Sequence, residues 1–343
     1  MMDIKSMDYD ELRDWVVSKG EKAFRSKQIY EWLHVKLVRD ISEMTNVPKS
    51  LKDELTACGI YGTELVTRLV SKEDGTNKFL FRLHDGNVIE SVFMKYRHGN
   101  SVCISSQAGC RMGCRFCAST IGGLIRNLHV SEMLDQIYHI ERLTGMRVSN
   151  VVVMGTGEPL DNYDNLIKFI RMLSDEHGLN ISQRNITVSS CGLVPEIKKL
   201  ADEHLTITFA LSLHSPTDDG RQELMPIANK YSIAECMDAC RYYFETTGRR
   251  ITFEYSLVQG VNDTEEHARQ LAELVKDINC HINLIPVNPI KEREFCRSTR
   301  DNVEKFKYLL EKKQINVTIR RSMGRDIDAA CGQLRRQYQD LNN

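Results

Sequence analysis

Gly109-Cys110-Arg111-Met112-Gly113-Cys114-Arg115-Phe116-Cys117 sets three thiols at C-x3-C-x2-C spacing. The run stands just after Val102-Cys103-Ile104-Ser105-Ser106, a stretch with the length and apolar character of a buried strand. Cysteine thiolates hold iron–sulfur clusters, and a cubane normally takes four of them. Three ligands on one loop therefore leave one iron open to a substrate or cofactor. Structural zinc asks for four ligands, usually from two close pairs, and no second C-x2-C pair occurs in the chain. Cys236 and Cys240 stand four apart in a helical pattern and are expected to pack in the core rather than complete this site.

Outward from the thiols, strand and helix patterns alternate. Candidate strands are 102–106, 149–154, 184–189, 205–212, 250–257, 281–286 and 315–319. Between them run helical patterns such as Leu134/Ile137/Tyr138 and Ala268/Leu271/Ala272/Val275, the second opening on Asp263-Thr264-Glu265-Glu266 with the spacing of a capping box. Repeated βα units of this length require parallel strands with right-handed crossovers. About six units are too few to close an eight-stranded barrel, so the expected fold is α/β, a partial (βα)6 barrel. Its ligands belong at the carboxyl ends of the strands. Residues 1–70 read as short helices, with Leu12, Trp15 and Val16 on one face of the first. Residues 71–101 hold a β-hairpin, since Lys78–Leu83 and Val88–Met94 alternate around Asp85-Gly86-Asn87. The barrel and a C-terminal segment take 102–343.

Composition narrows the class. Hydrophobic residues are 41% and charged residues 27% of 343, which excludes disorder as the main state. Lys+Arg 46 against Asp+Glu 47 leaves a net charge of −1, so a polyanion must be met by local basic patches. The acidic start, Met1-Met2-Asp3-Ile4-Lys5-Ser6, lacks the basic and apolar regions of a secretory leader, and no run of about 18 apolar residues follows. With 11 cysteines, an odd number, the chain is expected to be cytoplasmic, its thiols serving metal or catalysis rather than a disulfide framework.

The C-x3-C-x2-C loop after the first strand of a parallel partial barrel resembles the radical S-adenosylmethionine (SAM) superfamily. Other runs narrow the resemblance: Cys103-Ile104-Ser105-Ser106-Gln107-Ala108-Gly109-Cys110, Gly155-Thr156-Gly157-Glu158-Pro159-Leu160, Leu211-Ser212-Leu213-His214-Ser215-Pro216 and Leu224-Met225-Pro226-Ile227. Gly260-Val261-Asn262-Asp263 and Asp326-Ile327-Asp328-Ala329-Ala330-Cys331-Gly332-Gln333-Leu334 complete the set. Together they resemble the RlmN/Cfr family of RNA adenine methyltransferases over nearly the whole chain. The resemblance implies a 4Fe–4S cluster on Cys110, Cys114 and Cys117, and two molecules of SAM per turnover. One methylates a cysteine, matched by Cys331. The other yields the radical that activates this methyl group for addition to adenine C2, a carbon too electron-poor for ordinary displacement. A resolving cysteine, matched by Cys103, then attacks the methylated sulfur, forming a transient disulfide and releasing the base. Without the resemblance, a cysteine at either place would read as core packing.

The same resemblance makes Glu90 the proton acceptor. By alternation Val88, Glu90 and Val92 share one strand face, and apolar neighbours there would raise a carboxyl toward the range of a useful base. It also implies that Gly157, Glu158, Ser189, Ser212, Leu213, His214 and Asn288 bind SAM, the two loop glycines Gly155 and Gly157 allowing close backbone approach. Two departures stand out: Thr156 replaces the usual methionine, and Met323 stands where some adenine-C2 enzymes carry Arg-Gly. The expected partners are 23S rRNA at the peptidyl transferase centre and tRNA at adenosine 37, with an external one-electron reductant such as flavodoxin, and a monomeric chain. The N-terminal helices would read RNA shape. Arg249/Arg250, Lys291/Arg293, Arg320/Arg321/Arg325 and Arg335/Arg336 are candidate phosphate contacts. The alternative is a Cfr-like enzyme that methylates adenine C8 of 23S rRNA and confers antibiotic resistance. Pro159 favours C2, because the C8 relatives typically carry alanine there, while the apolar Met323 leans the other way. A zinc-bearing RNA-binding module and an electron-transfer protein are the rivals from other classes.

Overall fold

Why the barrel stays open follows from its strand order. In the computed structural model, which describes residues 3–60, 62–288, 294–321, 323–327 and 332–342 (side chains of 339–342 excepted), ten strands form one sheet with two free edges. The chain begins with helices α1 (Tyr9–Ser18), α2 (Phe24–His34) and α3 (Lys49–Cys58), followed by antiparallel strands β1 (Glu64–Val70), β2 (Asn77–Arg82) and β3 (Val88–Tyr96). Strand β4 (Gly99–Cys103) pairs antiparallel with β3 and starts the parallel part. A separate ribbon, β5 (Gln107–Gly109) with β6 (Leu124–Asn127), brackets the cysteine run. Then follow α4 (Val130–Thr144), β7 (Asn150–Val153), α5 (Tyr163–Ser174), β8 (Ile186–Ser190), α6 (Val194–Asp202) and β9 (Thr208–Ser212). The last third holds α7 (Asp218–Leu224), α8 (Ile233–Thr247), β10 (Ile251–Leu257), α9 (Glu265–Val275), β11 (Cys280–Pro286), α10 (Arg300–Glu311), β12 (Asn316–Ile319) and α11 (Gln333–Asn342).

The sheet order is β1-β2-β3-β4-β7-β8-β9-β10-β11-β12, parallel from β4 to β12. Six βα units and a final strand make the expected partial barrel, and each of the seven strands read from the sequence is present. The helices cover it with amphipathic faces: α5 buries Leu166, Ile167, Phe169, Ile170 and Leu173, and α9 buries Ala268, Leu271, Ala272 and Val275. Cys236 and Cys240 are buried on α8. The cap of α9 lies one residue later than the capping-box reading, because Thr264 accepts from His267 N. Asp263 is engaged elsewhere, accepting from Ser298 Oγ at 2.6 Å and Asn302 Nδ2 at 2.7 Å.

The expected hairpin is β2–β3, but it is part of the barrel sheet, and a third strand, β1, stands where helices were expected. With one face exposed and a bulge between Leu65 and Thr67, β1 shows little alternation. Strands β2 and β3 are buried on both faces. Phe79, Phe81, Ile89 and Phe93 enter the main core, while Leu80 and Val88 pack against Leu334 of α11. The N-terminal helices are tied to α4 by Lys5, whose Nζ lies 2.7 Å from Asp135 Oδ1 in the interior. Among the described residues no helix is long and apolar enough to cross a membrane.

Candidate active site

The three cysteines occupy the loop between β5 and β6, at the carboxyl-end side of the sheet. Cys110 N donates to Gly123 O at 2.9 Å, Cys117 N to Cys114 O at 3.1 Å, and Arg115 N to Leu224 O at 2.9 Å. The last bond pins the loop to the Leu224-Met225-Pro226-Ile227 run. Burial pushes the Cys110 thiol up to about 12. Protein atoms ringing the Cys114 sulfur, with the neighbouring charges of Cys117 and Cys110, push it well up too. Such thiols stay protonated until a cation is present, and coordination reverses that order. Among the described residues no trio of His, Cys, Asp or Glu converges tightly enough for a single ion. Cubane ligands each hold a different iron, and three thiols on one loop are the donor set of a cluster with one iron left open. Arg221 of α7 adds a second sign. It is fully buried, its Nη2 donates to Cys191 O, and its Nε and Nη1 find no hydrogen-bond partner among the described residues. A buried guanidinium of this kind suits an anionic group beside the thiols.

The Gly155–Glu158 loop leaves β7 and runs against residues 104–107. A Cβ on Gly157, whose φ is +113°, would stand 2.8 Å from Gln107 N, so only glycine permits this approach. Glu158 is buried; Oε1 accepts from Leu160 N at 3.1 Å and Oε2 from Cys191 N at 2.8 Å, while burial raises its carboxyl above the ordinary value. Thr156 turns its hydroxyl to Ser119 Oγ at 3.4 Å, on the segment after Cys117.

Ser189 ends near Ser212, their hydroxyls 3.1 Å apart on adjacent strands β8 and β9. Leu213 is buried, and its N donates to Glu254 O at 3.0 Å. His214 has a left-handed backbone (φ +58°), and its Nδ1 accepts from Ser256 N at 2.9 Å. Burial lowers its imidazole to about 3, so it is neutral at physiological pH with Nε2 carrying the proton. Its ring meets Phe116 of the cysteine loop edge-on, centroids 4.8 Å apart. Asn288 is exposed beyond β11. Sequence reasoning missed Glu254, a buried carboxylate opposite Ser212 in register that accepts from Asn283 Nδ2 at 2.9 Å. It missed Arg221 as well. Neither residue lies in a distinctive spacing.

Cys103 ends β4 and is buried in a small cluster with Val92, Met94, Val152, Met154 and Met323. Met323 thus faces the Cys103 pocket, which accounts for an apolar residue there. Cys331 lies outside the described residues, as do Lys291 and Arg293, but Gly332, joined to Cys331 by one peptide bond, is described. A Cβ on Gly332, at φ +81°, would stand 2.8 Å from Ser119 N, so this backbone abuts the turn that follows Cys117. Glu90 faces the same segment. Its Oε2 accepts from Gly332 N at 2.7 Å, its Oε1 from Arg335 N, and Lys78 Nζ stands 3.3 Å from Oε2. Beside the apolar neighbours expected for it, Glu90 therefore also meets a cation and two N–H donors. Two basic pairs also change meaning. Arg335 is buried against this group, and Arg249/Arg250 precede β10 at the amino end of the barrel, away from the mouth. Arg320 and Arg321 directly follow β12 at the carboxyl end, and Arg321 and Arg325 are exposed there.

Residues 104–274 match the family model of the radical SAM superfamily, and residues 2–60 match that of the ribosomal RNA large subunit methyltransferase N-terminal domain. A relative in Lachnospira eligens, described as a probable dual-specificity RNA methyltransferase RlmN, is 64% identical over 99% of this chain and 97% of its own length. A relative of the same description in Clostridium perfringens is 53% identical, over 98% of each chain. The solved structure of a radical SAM methyltransferase from Sphaerobacter thermophilus superposes with a TM-score of 0.93 at 40% identity, covering 97% of this chain and 99% of the other.

Proposed function

The chain belongs to the RlmN family of radical SAM methyltransferases, and on that premise we propose that it methylates C2 of one adenosine in 23S rRNA, at the peptidyl transferase centre, and of adenosine 37 in some tRNAs. The observation that carries the reading is the approach of Gly332 to Ser119. It brings the residue next to Cys331 against the turn next to Cys117, which supports a reading in which methyl carrier and cysteine loop work at one site.

In this reading Cys110, Cys114 and Cys117 hold a 4Fe–4S cluster. Gly157, Glu158, Ser189, Ser212, Leu213, His214 and Asn288 hold SAM, Glu158 having lone pairs to spare for an ammonium group and the serine hydroxyls able to donate or accept. When bound, the cluster and SAM supply the one-electron chemistry that activates a methyl group. The chain does the rest. Cys331 carries the methyl group to the base, so two molecules of SAM serve each turnover. Glu90 accepts the proton displaced from C2. Cys103 attacks the Cys331 sulfur, forming a disulfide and breaking the carbon–sulfur bond to the base, whose carbon keeps the electron pair and takes up a proton to become the methyl group; thiolates make this attack far better than water. The target adenine must leave its stack to reach a buried cysteine, and the exposed Arg321 and Arg325 at the mouth would meet phosphate. The cytoplasm, with its RNA and its reductants, is the fitting compartment.

The deciding experiment is mass spectrometry of RNA treated with the anaerobically reconstituted enzyme. 2-Methyladenosine is the expected product; 8-methyladenosine alone would establish the Cfr-like alternative, and no methylation with stoichiometric zinc would overturn the reading. Cys103→Ala should retain the cluster and SAM cleavage yet stall as a covalent protein–RNA species on a denaturing gel. Continued turnover without such a species would remove Cys103 from the mechanism.

A further inference from the structure

The described residues on both sides of the Cys331 run are held by one part of the fold, the β1–β3 extension of the sheet. On the upstream side, Gly324 N donates to Asp74 Oδ2 at 2.9 Å, and Lys72 N donates to Asp326 Oδ2 at 2.8 Å. Asp74 stands in the turn between β1 and β2. Burial opposes its charge, but N–H donors, Gly324 first, outweigh that and hold its carboxyl at about 2, so it is an anion throughout the working range. On the downstream side, both oxygens of Glu90 accept N–H groups from Gly332 and Arg335, the open donors at the start of α11. Lys78 stands behind Glu90, fully buried, and Arg82 Nη2 donates to Tyr338 Oη at 3.0 Å further along the helix. Leu80 and Val88 pack on Leu334 between these polar contacts.

We propose that this extension is a clasp for the two flanks of the Cys331 run, with Asp74 and Lys78 as positioning residues, Lys78 acting through Glu90. The register of the sheet gives the clasp its purpose. Val92 pairs with Cys103 across β3 and β4, and Glu90 precedes Val92 by two residues on the same face. Glu90 and Cys103 are therefore about one strand repeat apart, roughly 7 Å along the sheet. A carboxylate that anchors Gly332, the residue after Cys331, at that spot holds the start of α11 beside the strand that ends on the resolving thiol. Lys78, opposite Val92 in register, shares this face. Its ammonium stands 3.3 Å from Glu90 Oε2, a third contact that holds the side chain in place while it accepts from the two N–H donors. The inference rests on the assignment of the methyl group to Cys331, and its test separates the two.

The test is hydrogen exchange of the full-length, cluster-loaded protein, read by mass spectrometry on the peptide spanning 323–342, alongside methyl occupancy of Cys331 in protein taken from cells. Lys78→Met and Asp74→Ala should each speed exchange in that peptide by about tenfold and lower methyl occupancy. Iron content and the SAM-induced change in the electron paramagnetic resonance of the reduced cluster should match the unsubstituted protein. Asp74→Asn, which keeps an acceptor oxygen for Gly324, should restore both readouts. Asp74 lies in a surface turn, so Asp74→Ala decides the matter should Lys78→Met not fold. Unchanged exchange, or faster exchange with full methyl occupancy, would overturn the clasp. Absence of a methyl group on Cys331 in the unsubstituted protein would overturn the carrier assignment instead, leaving the exchange result to judge the anchoring.

Discussion

Arg221 carries a charge into the interior without meeting a carboxylate there among the described residues. A buried cation without a paired anion is a cost that an apolar side chain of similar size would not incur. In the metal-free protein, Arg221→Met should therefore raise the unfolding free energy by about 1–3 kcal/mol, measured by urea denaturation. In the loaded protein the same substitution should remove positive charge near the Cys114 thiol, which feels it, and shift the cluster's midpoint potential to more negative values. A metal-free protein destabilised by the change would show that Arg221 serves packing and its bond to Cys191. His214 teaches the complementary lesson at this scale. Its sequence neighbours placed it at the rim, where it stands, but only the fold shows that Nδ1 is already committed to Ser256.

Elements are joined here by few but buried polar links. Asp135 of α4 accepts from Lys5 Nζ and, at 2.6 Å, from Thr63 N, with Arg142 3.7 Å away. Burial opposes its charge, yet Lys5 and Arg142 hold the carboxyl at about 2. Lys5→Met should leave this carboxylate poorly compensated and cost about 3 kcal/mol, the low end of the range for a broken buried pair because Arg142 remains. Replacing both partners, Lys5→Met with Asp135→Leu, should recover part of the loss. Equal destabilisation by the single and double substitutions, in thermal unfolding, would argue against a buried pair. The link fixes the N-terminal helices to a barrel helix rather than leaving them on a free tether. Element identity was legible wherever a strand or helix had one clear apolar face. It failed at β1, whose half-exposed edge position leaves little alternation to read.

Across the whole molecule, three buried histidines set an acid limit. Burial holds His34 and His214 near 3 and His139 near 4. Unfolded, each would take a proton near 6.5. The unfolded chain thus binds more protons below that pH, so the stability present above about pH 6.5 is lost as pH falls toward 4. With three groups the slope should approach about 4 kcal/mol per pH unit at its steepest. Urea midpoints at pH 7.5 and pH 5 check this; equal midpoints would mean that the histidines titrate alike in both states. Local spacing by itself determined the alternation of strand and helix, the open parallel barrel and the loop with three thiols, because hydrophobic period and ligand spacing are properties of neighbouring residues. The family's motifs marked Cys103, Glu90 and Cys331 as candidates. Only the tertiary structure decided what surrounds them: that Met323 packs on the cluster holding Cys103, that Arg335 is buried, and that Lys78 and two backbone N–H groups hold Glu90. Lys78 and Glu90 meet across a hairpin, while the other contacts join residues more than two hundred positions apart; sheet register, which no local pattern encodes, is what brings them together.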